Sequence, residues 1–140
     1  AAALRGGNIN LEILAYREVS ETCQIKNLFH DNKVFTIEPD GETPTGESII
    51  AAALRMPPGG QNLIIHLTDG IKNVGVPVDY ALEHCQQHGI GLVTIGYGRG
   101  VRPLFEVYED GFELLGTSIE RLPQAMEVLI KRKLTAGRRR

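Results

Sequence analysis

The sequence predicts an α/β fold built on a mostly parallel sheet. Two strongly apolar runs, Leu63-Ile-Ile-His-Leu-Thr68 and Ile90-Gly-Leu-Val-Thr-Ile-Gly96, are too short for helices and rich in branched residues. Parallel strands are covered on both faces, so they carry near-continuous apolar runs. Between the two lies a stretch with Val78, Ala81, Leu82 and Cys85 at helical spacing. A strand, a helix and a second strand in succession make a right-handed crossover in a parallel sheet.

Ala1–Leu4 resembles the last turn of a helix, stopped by Gly6-Gly7. A strand is expected from about Ile9 to Tyr16 and another from about Thr22 to His30. The short Arg17–Glu21 link makes them an antiparallel hairpin, because parallel strands need a longer connection. Asp31-Asn-Lys33 is a turn, and 34–40 is extended. In Gly41-Glu-Thr-Pro-Thr-Gly-Glu-Ser48, proline fits a first helical position. That makes Thr43 the natural N-cap, with Thr45 the alternative, of a helix running through Ile49–Met56. Pro57-Pro-Gly-Gly60 stops it.

After the central strand, Ile71–Val76 is a loop. Pro77 opens a helix to about His88, and Gly89 closes it. The strand from Ile90 runs into the glycine-rich turn Gly96-Tyr-Gly-Arg-Gly100. Pro103–Tyr108 holds a short helix or turn, and Phe112–Leu115 is a last short strand. Ile119–Leu134 is an amphipathic helix with Leu122, Met126, Leu129 and Ile130 inward.

At 140 residues the chain suits one domain, 1–134, followed by a basic tail, 135–140. Its 42% hydrophobic and 23% charged residues are those of an ordinary globular protein, expected to be cytoplasmic. No stretch is apolar enough to span a bilayer, and nothing resembles a cleavable signal. Cys23 and Cys85 lack metal-finger spacing and are expected as buried free thiols. Lys131, Arg132, Lys133 and Arg138–Arg140 hold six of the fifteen basic residues, leaving an acidic body. Such a cluster suits a helix C-terminus, and without interleaved aromatics it argues against a nucleic-acid partner.

The central strand ends in Thr68-Asp-Gly70. Ligands of open α/β sheets lie beyond the carboxyl ends of the strands, so Asp69 is placed for chemistry or binding. The plainer alternative is turn formation. His66, mid-strand, is expected as a buried, hydrogen-bonded histidine. His84 and His88 stand one helical turn apart, a spacing that can bind zinc, but without a third ligand they suit a solvated helix end. Glu106, Glu109, Asp110 and Glu113 are most simply a solvated acidic face.

Thr43-Pro-Thr-Gly-Glu-Ser48, Leu63–Gly70 and Ile90–Gly98, in that order and spacing, resemble the von Willebrand factor A-type domain. The resemblance covers most of the chain from about Asn8 to Leu134, and its flavour is that of intracellular metal-chelatase subunits. It implies a Rossmann-like, three-layer fold with one antiparallel edge strand. It also implies a metal-ion-dependent adhesion site for Mg²⁺ at Thr43 and Asp69, with Thr43 coordinating directly when a partner is bound and Asp69 acting largely by holding a water. A partner's acidic side chain completes the coordination in that family. Thr45, Ser48 and Gly70 shape the loops, and Thr45, Gly70, Tyr97 and Arg99 face the partner.

The family's Asp-x-Ser-x-Ser motif occurs nowhere in the chain. Its central first strand and most of its first helix are therefore expected to be missing, as in a fragment of a larger protein. A second copy could then donate a strand, making a homodimer. The resemblance implies a non-catalytic interaction module whose partner is an AAA+ ATPase subunit. A hydrolase or phosphotransferase using Asp69 is the alternative, as is a structural domain with a degenerate site. One carboxylate and one hydroxyl hold Mg²⁺ poorly. Titration calorimetry is expected to show weak or no Mg²⁺ binding, and tight one-to-one binding contradicts that.

Overall fold

The computed structural model describes residues 10–31, 33–34, 41–70, 73–98, 107–108, 112–116 and 119–138. The architecture is mixed α/β. Strands β1 (Leu14–Val19) and β2 (Thr22–Asn27) pair antiparallel, and β3 (Phe29–His30) pairs antiparallel with β4 (Lys33–Val34). Helix α1 (Thr45–Leu54) follows, then β5 (Leu63–Thr68), α2 (Val78–Gln87), β6 (Gly91–Tyr97), β7 (Phe112–Gly116), a 3₁₀ turn (Ile119–Arg121) and α3 (Leu122–Arg138). Strands β5, β6 and β7 form a parallel sheet in that order.

The β5–β6 register sets His66 beside Thr94 and Leu67 beside Ile95. Strand alternation sends Ile64, His66 and Thr68 to one face, all buried. On that face Ile64 packs with Ile49 and Ala53 of α1 and with Ala81 and Cys85 of α2. On the other, Val93 and Ile95 pack with Leu129 of α3, joined by Leu63, Ile65 and Met126. Helices thus lie on both faces of the parallel sheet.

Three expectations change. The antiparallel strand expected at the edge of the parallel sheet is not in it. The β1–β2 hairpin is a sheet of its own, and among the described residues no ladder joins β1 to β5. The amide of Glu18, in β1, instead donates to the carbonyl of Glu42 at 3.0 Å, so the loop before α1 engages the hairpin. Next, β1 begins at Leu14 rather than Ile9, and the hairpin turn is only Ser20-Glu21. Both turn residues have positive φ, 51° and 62°. Two-residue hairpin turns of that shape favour Asn-Gly. Here the Glu18 carboxylate accepts the Glu21 amide and holds the turn. Finally, β5 is not covered on both faces throughout, because Leu67 is 43% exposed.

Helix α1 corrects the cap. Pro44 is the N-cap residue, and neither Thr43 nor Thr45 caps through its side chain. The cap comes instead from the loop after β5, where Asn73 Oδ1 accepts the Gly46 amide at 3.0 Å. Asn73 Nδ2 donates to the Val76 carbonyl at 2.9 Å, and the Val74 amide donates to the Thr43 carbonyl at 3.2 Å. An N-cap bond is worth about 1 kcal/mol. Because this one comes from 27 residues away, it also fixes the loop.

Gly46 makes that junction possible. A Cβ there would collide with the carbonyl oxygen of Val76 and press on that of Pro77. Around Gly70 there is open space. Gly46→Ala is therefore expected to lower stability by about 1–3 kcal/mol, the usual cost of overpacking. Gly70→Ala is expected to change it by less than about 0.5 kcal/mol. Urea unfolding measures both, and equal effects would contradict the junction.

Candidate functional site

Where β5 stops and α1 starts, the loop after β5 meets the helix, with Asn73 at Gly46 and Val74 at Thr43. Asp69 is exposed at the tip of β5. Just before it, the Thr68 hydroxyl donates to the Gly70 carbonyl at 2.9 Å and accepts the Gly70 amide at 3.3 Å, which sets the turn. Thr43 is half-buried one residue before the N-cap, and its carbonyl holds the loop at Val74. Thr45 is buried, only 3% exposed, as is Ser48, whose hydroxyl donates to the Thr45 carbonyl at 2.8 Å.

Beneath this rim runs a buried polar network that links the hairpin to the parallel sheet. The Tyr16 hydroxyl, from β1, lies 2.9 Å from His66 Nε2 in β5. On the far side of the ring, His66 Nδ1 lies 3.4 Å from the Thr94 hydroxyl of β6. Tyr108 packs its ring 5.9 Å from the imidazole, beside Val78 and Leu82 of α2. Thr45 and Ser48 hydrogen-bond the Tyr16 phenol.

Burial raises the Tyr16 pKa, those two hydroxyls oppose it, and the charge of Asp69 adds to the rise. Burial also raises the pKa of Tyr108, with Tyr16 adding to it, and drives His66 down to about 4. The imidazole is therefore neutral at pH 7, and both its nitrogens are engaged. That makes it a poor general base, since a base needs a free nitrogen within reach of substrate.

The expected buried, hydrogen-bonded His66 is what the structure contains. Its partners Tyr16, Thr94 and Tyr108 carry no motif and were missed, as was Asn73. Tyr16, Thr94 and Tyr108 come from elements other than β5, so no local pattern around His66 signals them. Tyr97, at the end of β6, packs against the Val93, Ile95 and Leu129 cluster. Arg99 lies outside the described residues, as do the four residues of the expected acidic face except Glu113, of which the strand alone is described. Cys23 and Cys85 are free thiols, half-buried and buried. Among the described residues no three His, Cys, Asp or Glu side chains converge as metal ligands. No described helix is long and apolar enough to cross a membrane. The chain matches no family model, no curated protein and no solved structure. What the fold and site define is a mixed α/β domain with a polar rim at the carboxyl end of its parallel strands.

A histidine with a lowered pKa favours the folded state only while neutral. As pH falls below about 6.5 the unfolded chain takes up the proton first, so stability declines and the loss is complete near pH 4. For a shift of this size the loss is about 3 kcal/mol. His66→Gln, which keeps hydrogen-bonding capacity, is expected to lose about that much less between neutral and acid pH. Urea unfolding across that range measures the difference, and parallel profiles would contradict the assignment.

Proposed function

We propose that this chain is a non-catalytic protein-interaction module of the von Willebrand factor A type, with a three-layer Rossmann-like fold. Its binding face is the rim formed by Thr43, Asp69 and Gly70, with Thr45 buried beneath it. The observation that supports this reading is the clamp between the loop after β5 and the start of α1. The loop that follows Asp69 folds back, and its Val74 amide donates to the Thr43 carbonyl at 3.2 Å. Parallel strands with helices on both faces suit the same fold.

The rim takes the acidic side chain of a protein partner, with Mg²⁺ held between them when the remaining oxygen ligands are supplied. An AAA+ ATPase subunit is the class of partner the resemblance suggests, and a cytoplasmic setting agrees with it. The outer edges of β1 and β5 carry no ladder partner among the described residues. Unpaired strand edges recruit strands. A further strand, from another segment or from a second copy in a homodimer, would pair with one of these edges. Hydrolase or phosphotransferase chemistry at Asp69 is disfavoured, because the nearest imidazole is buried and already bonded on both sides.

Placing an apolar strand that ends in Asp-x-Ser-x-Ser, with its helix, ahead of Ala1 is expected to create one-to-one Mg²⁺ binding. Calorimetry should show it abolished by Asp69→Ala and weakened about tenfold or more by Thr43→Ala. Mg²⁺ binding that ignores both substitutions, or that never appears, overturns the proposal.

A further inference from the structure

Away from the rim, the C-terminal end of α2 carries a second arrangement of ligand atoms. His84 and His88 stack with ring centroids 4.2 Å apart and planes inclined by 31°. The His88 Nδ1 lies 2.8 Å from the His84 carbonyl oxygen. A carbonyl can only accept, so Nδ1 carries the hydrogen, and in the neutral ring the lone pair is left on Nε2. Histidines that bind metals use this device, with one ring nitrogen donating to a carbonyl and the other left for the ion.

Three further features favour a cation here. The helix terminus carries the negative end of the backbone dipole. His88 is exposed and His84 half-buried, so both are accessible to solvent. The same helix is anchored from beneath by Ala81 and Cys85, both almost fully buried, which holds the turn rigid. The competing nitrogens of His66 are bonded to Tyr16 and Thr94.

We propose that His84 and His88 form a two-histidine chelate for a late first-row divalent cation of the Ni²⁺, Cu²⁺ or Zn²⁺ class. Imidazole suits these ions and not Mg²⁺, which takes oxygen ligands. Two protein ligands leave coordination positions for water or for a carboxylate or imidazole from a second molecule. The site is independent of the Asp69 rim.

Ni²⁺ titration of the whole chain by calorimetry tests this, because Ni²⁺ is not reduced by thiols as Cu²⁺ is. The expected result is one equivalent bound by the unaltered chain. His84→Ala and His88→Ala should each weaken it by about tenfold or more, since even an outer partner's removal costs that much. His30→Ala and Asp69→Ala should leave it unchanged. Saturating Ni²⁺ should also raise Tm in the unaltered chain and not in the two α2 variants. Failure of the unaltered chain to bind Ni²⁺, equal affinity in the α2 variants, or loss on His30→Ala each overturns the proposal.

Discussion

The hairpin and the parallel sheet share no backbone ladder among the described residues, so side chains must hold them in register. The bond between the Tyr16 hydroxyl and His66 is the central one. It crosses from β1 to β5 in the interior, where the low dielectric strengthens a satisfied hydrogen bond and penalises a broken one. Burial keeps the imidazole neutral, which lets it sit against apolar neighbours without a counter-ion. The first turn of α1 then closes over the network through Thr45 and Ser48. At the surface, Glu12 adds a two-pronged ion pair with Arg55, at 2.7 and 2.9 Å, that ties the approach to β1 to the end of α1. Half-exposed pairs of this kind contribute little, so the interior network matters more.

The same tie explains the shape of the rim. The loop after β5 supplies the cap of α1 through Asn73, and Gly46 lets that loop approach closely. Asp69 is left exposed at the strand tip while Thr43 is held by the loop's amide. Binding residues placed on loops but clamped by a rigid scaffold are the usual arrangement for recognition.

Much of the fold was legible from periodicity. The runs at Leu63–Thr68 and Gly91–Tyr97 were clear because buried parallel strands leave unbroken apolar stretches. Helix α2 was clear because Val78, Ala81, Leu82 and Cys85 share one face. Less legible was anything set by distant contacts. Thr43 looked like a cap because local chemistry allows it, and Asn73 took that role from the other side of β5. The Ser20-Glu21 turn carried none of the residues that normally mark positive φ. In the candidate site, Asp69 and His66 stood out locally. Tyr16, Thr94 and Tyr108 did not, because only the fold brings them to the imidazole.

The two bonds at His66 also couple proton positions across the interior. A neutral imidazole has one donor and one acceptor, so the Tyr16 and Thr94 hydroxyls must play opposite parts. If the imidazole donates to Tyr16, it accepts from Thr94; if Tyr16 donates to the imidazole, the order reverses. A single tautomer choice in the middle of the domain thus sets the polarity of a chain running from β6 through β5 to β1.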